Sequence, residues 1–288
     1  MTAIGIDIGG TNVKAGVVGA DGALLAHASA PTPPEGAPQA LMHTIAALLE
    51  PMLSSNVTGL GISVAGFVDP SGEAMSHNPN LPALVAFPLR RTVEERFGRP
   101  TRIEVDSNAA AVAEHRLGAG RGAKRLLFLT LGTGVGGGVI IEGELLRFTG
   151  GCAGDLGHVI VSPGGPRCPC GARGCLEAMI SREALEEVGG QPVQALIAAA
   201  RNGDHNAADV FAAAGRLLGL GLASLAHIFA PDRIVIGGGI ATVGAPLLEA
   251  ARTSFLANAS PHFSTDVPIV AASLQGHEGV VGGAALFL

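Results

Sequence analysis

Short apolar runs rich in β-branched residues alternate along the chain with longer stretches in which apolar residues recur at every third or fourth position. The short runs predict strands and the longer stretches predict helices, because the two structures repeat about every 2 and 3.6 residues. Strands are predicted at residues 3–8, 13–18, 57–64, 101–105, 125–131, 233–236 and 269–272. Helices are predicted at residues 37–53, 89–97, 109–117, 182–187, 192–201, 206–229, 245–257 and 280–287. This succession of strands and helices indicates an α/β fold.

Glycine-rich turns interrupt the pattern where strands end. The first strand ends at a turn formed by Gly9, Gly10 and Thr11, and the strand at residues 125–131 ends at a second turn. The second turn contains Thr133, Gly134, Gly136, Gly137 and Gly138. Adjacent glycines let backbone N–H groups approach an anion closely, and Lys14 adds a positive charge beside the first turn. Either turn alone is equally consistent with a tight hairpin, but the repeated strand, turn and strand indicate two related domains.

A third glycine turn, residues 237–239, follows the strand at residues 233–236 and precedes a predicted helix. Such a turn can accept the ribose or adenine face of a nucleotide, or it can simply let the backbone bend. Gly238 at its centre is therefore a candidate nucleotide contact.

Polar residues at strand ends and in one loop are candidates for chemistry. Asp7 ends the first strand, where it could face a metal or cap the turn, and Asp106 lies between a strand and a helix. Sheets of α/β proteins bind ligands at this position, although Asp106 or Ser107 could also cap the helix. Asn78 and Asn80, in a polar loop, are candidate binding residues and also ordinary turn residues.

All four cysteines lie between residues 150 and 177. With one histidine among them, the spacing predicts a tetrahedral Cys3His zinc site, since structural zinc sites take four such ligands from short loops. The predicted ligands are His158, Cys168, Cys170 and Cys175. The alternative is a set of unrelated buried thiols and a core histidine.

Length and charge narrow the class of protein. A chain of 288 residues with 48% hydrophobic content fits two domains, which we expect at residues 1–115 and 116–277, with the helix at 278–288 joining the first. The formal net charge of −6 disfavours a nucleic-acid partner. Asp7 within the first apolar run disfavours a signal peptide or a membrane span, so we expect a cytoplasmic protein with reduced thiols.

Four segments together resemble the ROK family of sugar kinases, and the resemblance covers nearly the whole chain. They are DIGGTNVK at residues 7–14, EVDSNAAAVAE at 104–114, LGTGVGGG at 131–138, and GDLGHV with CPCGARGCLE within 154–177. The resemblance implies an actin-like, ribonuclease H-type fold of two domains with an interdomain cleft and a structural zinc in the second domain. It also implies a homodimer that uses ATP and Mg²⁺ to phosphorylate a hexose, usually at the 6-hydroxyl.

The same resemblance gives the candidate residues their roles. Asp106 is implied as the base that takes the proton from the attacking sugar hydroxyl, and Asp7 as a residue near Mg²⁺. The implied sugar contacts are Gly66, Asn80, Asp106, Asp155, His158 and Glu177. The implied phosphate and ATP contacts are Gly9, Gly10, Thr11, Lys14, Thr133, Gly134, Gly136, Gly137 and Gly238. His158 would bind zinc through one ring nitrogen and offer the other to the sugar.

Two positions depart from the family pattern. Val105 stands where the motif usually has an asparagine that binds a sugar hydroxyl, and Asp155 replaces a longer glutamate. Because unpaired hydroxyls cost about 1–3 kcal/mol each, these changes alter the ranking of sugars. Glucose is the default substrate, with N-acetylmannosamine, mannose, fructose and allose as alternatives, and polyphosphate stays open as a donor.

Two other classes of function are open. A non-catalytic sugar-binding protein would keep the same motifs without turnover. A ROK-type transcriptional regulator is less expected, because such proteins carry a winged-helix domain ahead of the first glycine motif, and here that motif begins at Asp7.

Overall fold

The strands form two five-stranded sheets with the same strand order. The first sheet is ordered β3-β2-β1-β4-β7 and contains β1 (Thr2–Ile8), β2 (Asn12–Gly19), β3 (Leu24–Pro31), β4 (Val57–Val64) and β7 (Thr101–Val105). The second is ordered β10-β9-β8-β11-β12 and contains β8 (Arg125–Leu131), β9 (Val135–Ile141), β10 (Glu144–Leu145), β11 (Arg233–Gly237) and β12 (Ile269–Ala271). The predicted duplication of the strand, turn and strand unit is confirmed by this shared order. Strands β5 (Phe67–Val68) and β6 (Met75–His77) form a separate antiparallel ribbon.

The structure is a computed structural model that describes residues 1–34, 37–78, 80–147, 155–264, 267–274 and 276–288. Its helices are α1 (Pro38–Leu49), α2 (Leu89–Phe97), α3 (Asp106–Leu117), α4 (Leu176–Ile180), α5 (Arg182–Gly189), α6 (Val193–Arg201), α7 (His205–Phe229), α8 (Ala245–Asn258), α9 (Pro261–Ser264) and α10 (Glu278–Ala285). Residues 150–154, which include Cys152, lie outside the described residues.

The chain divides into two compact units. The first comprises Met1–Arg121, Leu145–Ala153 and Gly276–Leu288, and the second comprises Gly122–Glu144 and Gly154–Gln275. This division differs from the expected one in two places. All of α3 belongs to the first unit, because α3 packs against α10. The segment Leu145–Ala153 also belongs to the first unit, where Arg147 pairs with Glu104.

One face of the first sheet carries the apolar core of the first unit. Successive side chains of a strand point to opposite faces, so Ile4, Ile6 and Ile8 of β1 share one face. All three are buried in a cluster with residues of β4, α1 and α2, namely Leu60, Ile62, Val64, Leu41, Ile45, Leu49, Leu89 and Val93. The alternating sequence therefore fixes which face receives α1 and α2.

The opposite face of the same sheet is built from glycines and receives α10. A Cβ atom placed on Gly5 would lie 1.7 Å from the carbonyl oxygen of Val280, and one on Gly61 would lie 1.8 Å from that of Gly283. The backbone of α10 therefore rests directly on β1 and β4. This contact places the start of α10 against Asp7, since a Cβ on Gly279 would lie 2.4 Å from the carboxyl carbon of Asp7.

We expect Gly61→Ala to lower the free energy of unfolding by about 1–3 kcal/mol, because the new methyl group would meet backbone atoms that move only with the whole helix. Chemical denaturation monitored by circular dichroism measures the change. Gly239→Ala is the matched control, since Gly239 has φ −60° and ψ −34° and its added Cβ meets no atom within 4 Å. Equal unfolding midpoints for the two variants would show that α10 does not rest on Gly61.

The longest helix, α7, packs closely against α8 in the second unit. A Cβ on Gly215 would lie 2.3 Å from the carbonyl oxygen of Leu247, and one on Gly219 would lie 2.3 Å from that of Ala251. By length and composition alone α7 could cross a membrane, but 56% of its most apolar stretch is buried inside the protein. Its apolar residues are explained by this packing within the second unit.

Several short elements are not predicted by the hydrophobic pattern. They are β3, β5, β6, β10, α4 and α9. Most contain too few residues to show a period, and β3, at the sheet edge, lacks β-branched residues. Helix α3 also begins at Asp106 rather than at residue 109, because its first turn is polar and the pattern counts only apolar positions.

Candidate active site

The first unit places a row of polar residues near the carboxyl ends of β1, β4 and β7 and near the start of β2. Asp7 of β1 is the register partner of both Lys14 in β2 and Ser63 in β4, and Ser63 is in turn the partner of Glu104 in β7. Register partners on neighbouring strands point to the same face of a sheet. The row therefore lies along one edge, at the position where α/β sheets bind ligands. Asp106 follows directly after β7.

Asp106 is the first residue of α3, and Val105 occupies the N-cap position. The Asp106 carboxylate accepts a hydrogen bond of 2.6 Å from the N–H group of Ser107 and stays accessible to solvent. Desolvation by the surrounding protein raises the pKa of Asp106 to about 6, the Ser107 N–H lowers it, and the negative charge of Asp7 raises it. A carboxylate with a pKa near the working pH is suited to act as a general base.

Asp7 lies partly buried at the end of β1. Burial raises the pKa of its carboxyl group, the positive charge of Lys14 lowers it, and the negative charge of Glu278 raises it. The Lys14 ammonium lies 3.5 Å from Asp7 Oδ2. A carboxylate supplies the oxygen ligands that Mg²⁺ prefers, so Asp7 is chemically suited to a place beside that ion.

The first glycine turn joins β1 to β2 and is held by backbone hydrogen bonds. The Gly9 N–H donates to the carbonyl of Asn12 over 3.0 Å, and the Thr32 hydroxyl donates to the carbonyl of Gly9 over 2.7 Å. Gly10 and Thr11 are exposed at the tip of this turn. Their N–H groups are thus presented where an anion could approach.

Asn80 lies beside the same turn. A Cβ placed on Gly10 would lie 3.3 Å from the Cβ of Asn80. The buried neighbour Asn78 holds this loop, because its side-chain oxygen accepts from the N–H groups of Asn80 at 3.0 Å and Leu81 at 2.8 Å. Of the two asparagines, Asn80 is therefore the exposed candidate ligand and Asn78 its support.

Gly66 has a backbone reason to be glycine. Its φ of +109° is unfavourable for other residues, and an added Cβ would lie 2.4 Å from the carbonyl oxygen of His77. The residue brings the strand that follows β4 close to the loop that carries Asn78 and Asn80.

The buried carboxylate of Glu104, in β7, contacts Arg147, which the sequence did not single out. Glu104 has 6% of its side chain exposed, and Arg147 donates to its Oε2 through Nη2 and also through Nε at 3.2 Å. Glu104 Oε1 accepts from the N–H of Val105 and from the side-chain amide of Asn108, each at 3.0 Å. This network fixes the backbone that precedes Asp106. Arg147 lies in a loop without periodic pattern, so no signal in the sequence marked it.

The second unit presents two glycine turns at one edge of its sheet. The second turn is shorter than predicted: Thr133 and Gly134 lie between the strands, whereas Gly136, Gly137 and Gly138 lie within β9. The third turn is adjacent, because a Cβ on Gly238 would lie 2.3 Å from the carbonyl oxygen of Leu131 at the end of β8. Gly238 also has a φ of +85°, which favours glycine.

The four predicted metal ligands are brought together in the second unit. The donor atoms of His158, Cys168, Cys170 and Cys175 all lie within 4.8 Å of one another. Cys168 Sγ lies 3.5 Å from His158 Nδ1, and Cys170 Sγ lies 3.6 Å from Cys175 Sγ. Sulfur ligands about 2.3 Å from a central zinc in a tetrahedron are about 3.8 Å apart, so the donor set fits this metal.

The protein around the cluster shapes its chemistry. Burial raises the pKa of the Cys175 thiol to about 12 and also raises that of Cys168, whereas the backbone N–H of Ala172 lowers that of Cys170. Metal binding releases these protons. Because His158 Nδ1 faces the cluster, its Nε2 points elsewhere and lies 4.0 Å from Asp155 Oδ2. Asp155 itself is exposed.

Glu177, in the first turn of α4, contacts the second glycine turn. Its Oε2 accepts a hydrogen bond of 2.9 Å from the N–H of Val135, the first residue of β9. Its Oε1 lies 3.9 Å from Cys168 Sγ. The family resemblance implies that Glu177 contacts the sugar. The contacts of Glu177 with Val135 and Cys168 were not predicted from the sequence.

Two sheets of identical order, each with a glycine-rich hairpin at its first two strands, define the class of actin-like, ribonuclease H-type proteins. The site residues narrow this class. The chain belongs to the ROK family, because the profile described as "ROK family" matches residues 3–288.

Named relatives agree with this assignment. A glucokinase of Thermotoga maritima is 34% identical over 98% of this chain and 96% of its own length. An N-acetylmannosamine kinase of Escherichia fergusonii is 35% identical over 99% of this chain and 98% of its own. The crystal structure of a ROK family glucokinase from Streptomyces griseus, in complex with glucose and AMPPNP, superposes with a TM-score of 0.85 at 35% identity and covers 99% of both chains.

Proposed function

We propose that this protein is an ATP-dependent sugar kinase that transfers the γ-phosphoryl group of ATP to the 6-hydroxyl of a hexose. The observation that carries the proposal is Asp106, a solvent-accessible carboxylate with a pKa raised to about 6 at the carboxyl edge of the first sheet. Asp106 directly follows a parallel strand, and the negative charge of Asp7 contributes to its raised pKa. Both observations support the role of a base at a phosphoryl-transfer site.

In the proposed reaction, Asp106 accepts the proton of the sugar hydroxyl as that oxygen forms a bond to the γ-phosphorus. The bond from this phosphorus to the bridging oxygen of ADP breaks, and ADP leaves with the electron pair. Phosphoryl transfer depends on positioning and charge stabilisation more than on covalent chemistry. The N–H groups of Gly9, Gly10 and Thr11 and the charge of Lys14 serve that purpose.

The second unit would hold the nucleotide. Thr133 and Gly134 present a turn suited to phosphate oxygens, with Gly136 and Gly137 following in β9, and Gly238 lies on the neighbouring turn, where the adenosine would bind. Asp7 would hold Mg²⁺, directly or through water, and the ion when bound would neutralise charge on the phosphate oxygens.

The sugar contacts proposed are Asn80, Asp106, Asp155, His158 and Glu177, with Gly66 shaping the loop beside Asn80. Zinc bound by the Cys3His cluster would hold the segment that carries His158 and would take no part in the chemistry. Glucose is the first substrate to test. N-acetylmannosamine is the second, because Val105 and Asp155 depart from the family pattern and one named relative is an N-acetylmannosamine kinase.

Release of ADP with a panel of sugars tests the proposal. Glucose, N-acetylmannosamine, mannose, fructose and allose are each supplied with MgATP, and polyphosphate replaces ATP in a parallel series. We expect one or two sugars to support ADP release, and phosphorus NMR of the product to place the new phosphate on the 6-oxygen. Sugar binding by calorimetry without ADP release from any sugar would favour a non-catalytic sugar-binding protein. Light scattering of the same preparation tests the homodimer that the family resemblance implies.

A further inference from the structure

We infer that Glu177 is a positioning residue that couples the Cys3His cluster to the second glycine turn, so that nucleotide binding depends on the cluster. The inference rests on the proposed function in one respect, since that function assigns phosphate binding to this turn. It goes further by giving the Glu177 carboxylate a role distinct from sugar contact.

Glu177 contacts the second glycine turn through one carboxylate oxygen. The hydrogen bond from the Val135 N–H to Glu177 Oε2 fixes the backbone at the point where the turn becomes β9. A Cβ on Gly134 would lie 2.3 Å from the same Oε2 atom. Gly134 has no positive φ that would require glycine. A methyl group at position 134 would therefore need the space that the Glu177 carboxylate occupies.

Glu177 also lies against the Cys3His cluster. Glu177 follows Cys175 by two positions, and its other carboxylate oxygen lies 3.9 Å from Cys168 Sγ. One carboxylate thus touches a metal ligand through Oε1 and the turn through Oε2. Moving the ligand segment would move the carboxylate that holds Val135.

Val135 also contacts the segment that carries the histidine of the cluster. Gly157 precedes His158, and a Cβ on Gly157 would lie 2.0 Å from the carbonyl oxygen of Val135. The N–H and the C=O of Val135 therefore each meet a residue within two positions of a cluster ligand. Two such contacts on one residue make the position of the turn depend on how the cluster is held.

Paired substitutions test the coupling. Glu177→Ala removes the acceptor, and Gly134→Ala pushes the carboxylate away from Val135 because the new methyl group needs its place. We expect each variant to weaken binding of MgADP about fivefold to twentyfold, less than the loss of a direct hydrogen bond to a charged group, because this bond acts on the nucleotide only through the turn. We expect the double variant to be no weaker than either single variant, since both remove one interaction.

Gly132→Ala is the matched control in the same turn, because its added Cβ meets no atom within 4 Å. In the double variant of Gly132→Ala and Glu177→Ala, the two fold-changes in MgADP affinity should multiply, whatever the size of the Gly132→Ala effect. Glu177→Gln keeps an oxygen that can accept from Val135 and should bind MgADP nearly as the wild type does. If Glu177→Ala fails to fold, Glu177→Gln is the variant of this residue that can still be measured.

Hydrogen exchange of the Val135 amide provides a readout that requires neither nucleotide nor turnover. Exchange should become faster in Glu177→Ala, in Gly134→Ala, and in the metal-ligand variant Cys170→Ser, which alters the exposed ligand. Zinc content should stay at about one per chain in the first two variants, since Glu177 is not a ligand. The inference would be overturned if the fold-changes in MgADP affinity caused by Gly134→Ala and Glu177→Ala multiplied in the double variant. It would also be overturned if the exchange rate of the Val135 amide were unchanged in both single variants.

The same experiments separate this inference from the proposed function. Absence of turnover with every sugar, together with normal MgADP binding and a non-additive pair, would reject the kinase and leave the coupling standing. A wild-type protein that binds no MgADP would overturn the phosphate assignment of the turn and the dependence of nucleotide binding on the cluster.

Discussion

We expect Asp106→Asn to lower the rate of sugar phosphorylation by about 10²–10⁴-fold, because an amide cannot accept the proton of the attacking hydroxyl. Binding of the sugar should weaken much less, since the amide oxygen still accepts a hydrogen bond. A coupled assay of ADP formation gives the rate, and calorimetry gives the sugar affinity. Asp209→Asn, an exposed aspartate on α7, is the control and should leave both unchanged. A rate within a few-fold of the wild type would show that Asp106 is not the base.

The pH dependence of the same reaction follows from the pKa of about 6 at Asp106. The base is active only when ionised, so kcat/KM should fall below about pH 6 and level off above it. The free energy of unfolding changes with pH in the opposite direction to the rate. The raised pKa shows that the folded state favours the protonated carboxyl group of Asp106. The stabilising contribution of this group is therefore complete below pH 3.8, the ordinary pKa of an aspartate, and is lost as the pH rises through about 6.

Asp106→Asn should therefore melt at the same temperature as the wild type or slightly above it at pH 7.5, and this advantage should disappear near pH 4. The gain is small because solvent reaches the carboxylate. Calorimetric scans at the two pH values measure it. A variant that is inactive and also markedly less stable at pH 7.5 would indicate a structural role for Asp106 instead.

We expect Cys175→Ser to cause the largest loss of stability. Cys175 is fully buried, and serine is a poor zinc ligand because its hydroxyl does not ionise at neutral pH. Loss of a structural metal belongs to the class of changes that cost about 4 kcal/mol or more. Elemental analysis should show zinc falling from about one per chain to well below that, and thermal unfolding should begin at a much lower temperature.

Cys152→Ser is the matched control for this experiment. Cys152 is the one cysteine outside the predicted ligand set, so its variant should retain zinc and melt with the wild type. If Cys175→Ser kept full zinc content and an unchanged melting temperature, Cys175 would not be a zinc ligand and the predicted four-ligand site would be wrong.

Much of the site could be predicted because it is encoded in short segments. The turn at Gly9 and Gly10, the carboxylate at Asp106 and the spacing of Cys168, Cys170 and Cys175 are each visible within a dozen residues. Local rules decide such features, since glycine permits close backbone approach and thiolates within a short loop can reach one metal.

Other parts of the site depend on residues far apart in the sequence. Glu177 is 42 positions from Val135, and Arg147 is 43 positions from Glu104. Neither pair carries a periodic or local signal. Their meeting depends on how α4 and the segment at Leu145 are placed by the packing of whole elements, which pattern reasoning does not determine.

Side-chain period and local spacing were enough to predict the α/β class, the repeated strand and turn, the bounds of most strands and the four residues that cluster as candidate metal ligands. The folded neighbours, in contrast, place α10 on Gly5 and Gly61, raise the pKa of Asp106 at the start of α3 and bring Glu177 to Val135. These features arise from close contact between distant segments, where desolvation and steric fit depend on the folded neighbours rather than on the residue itself.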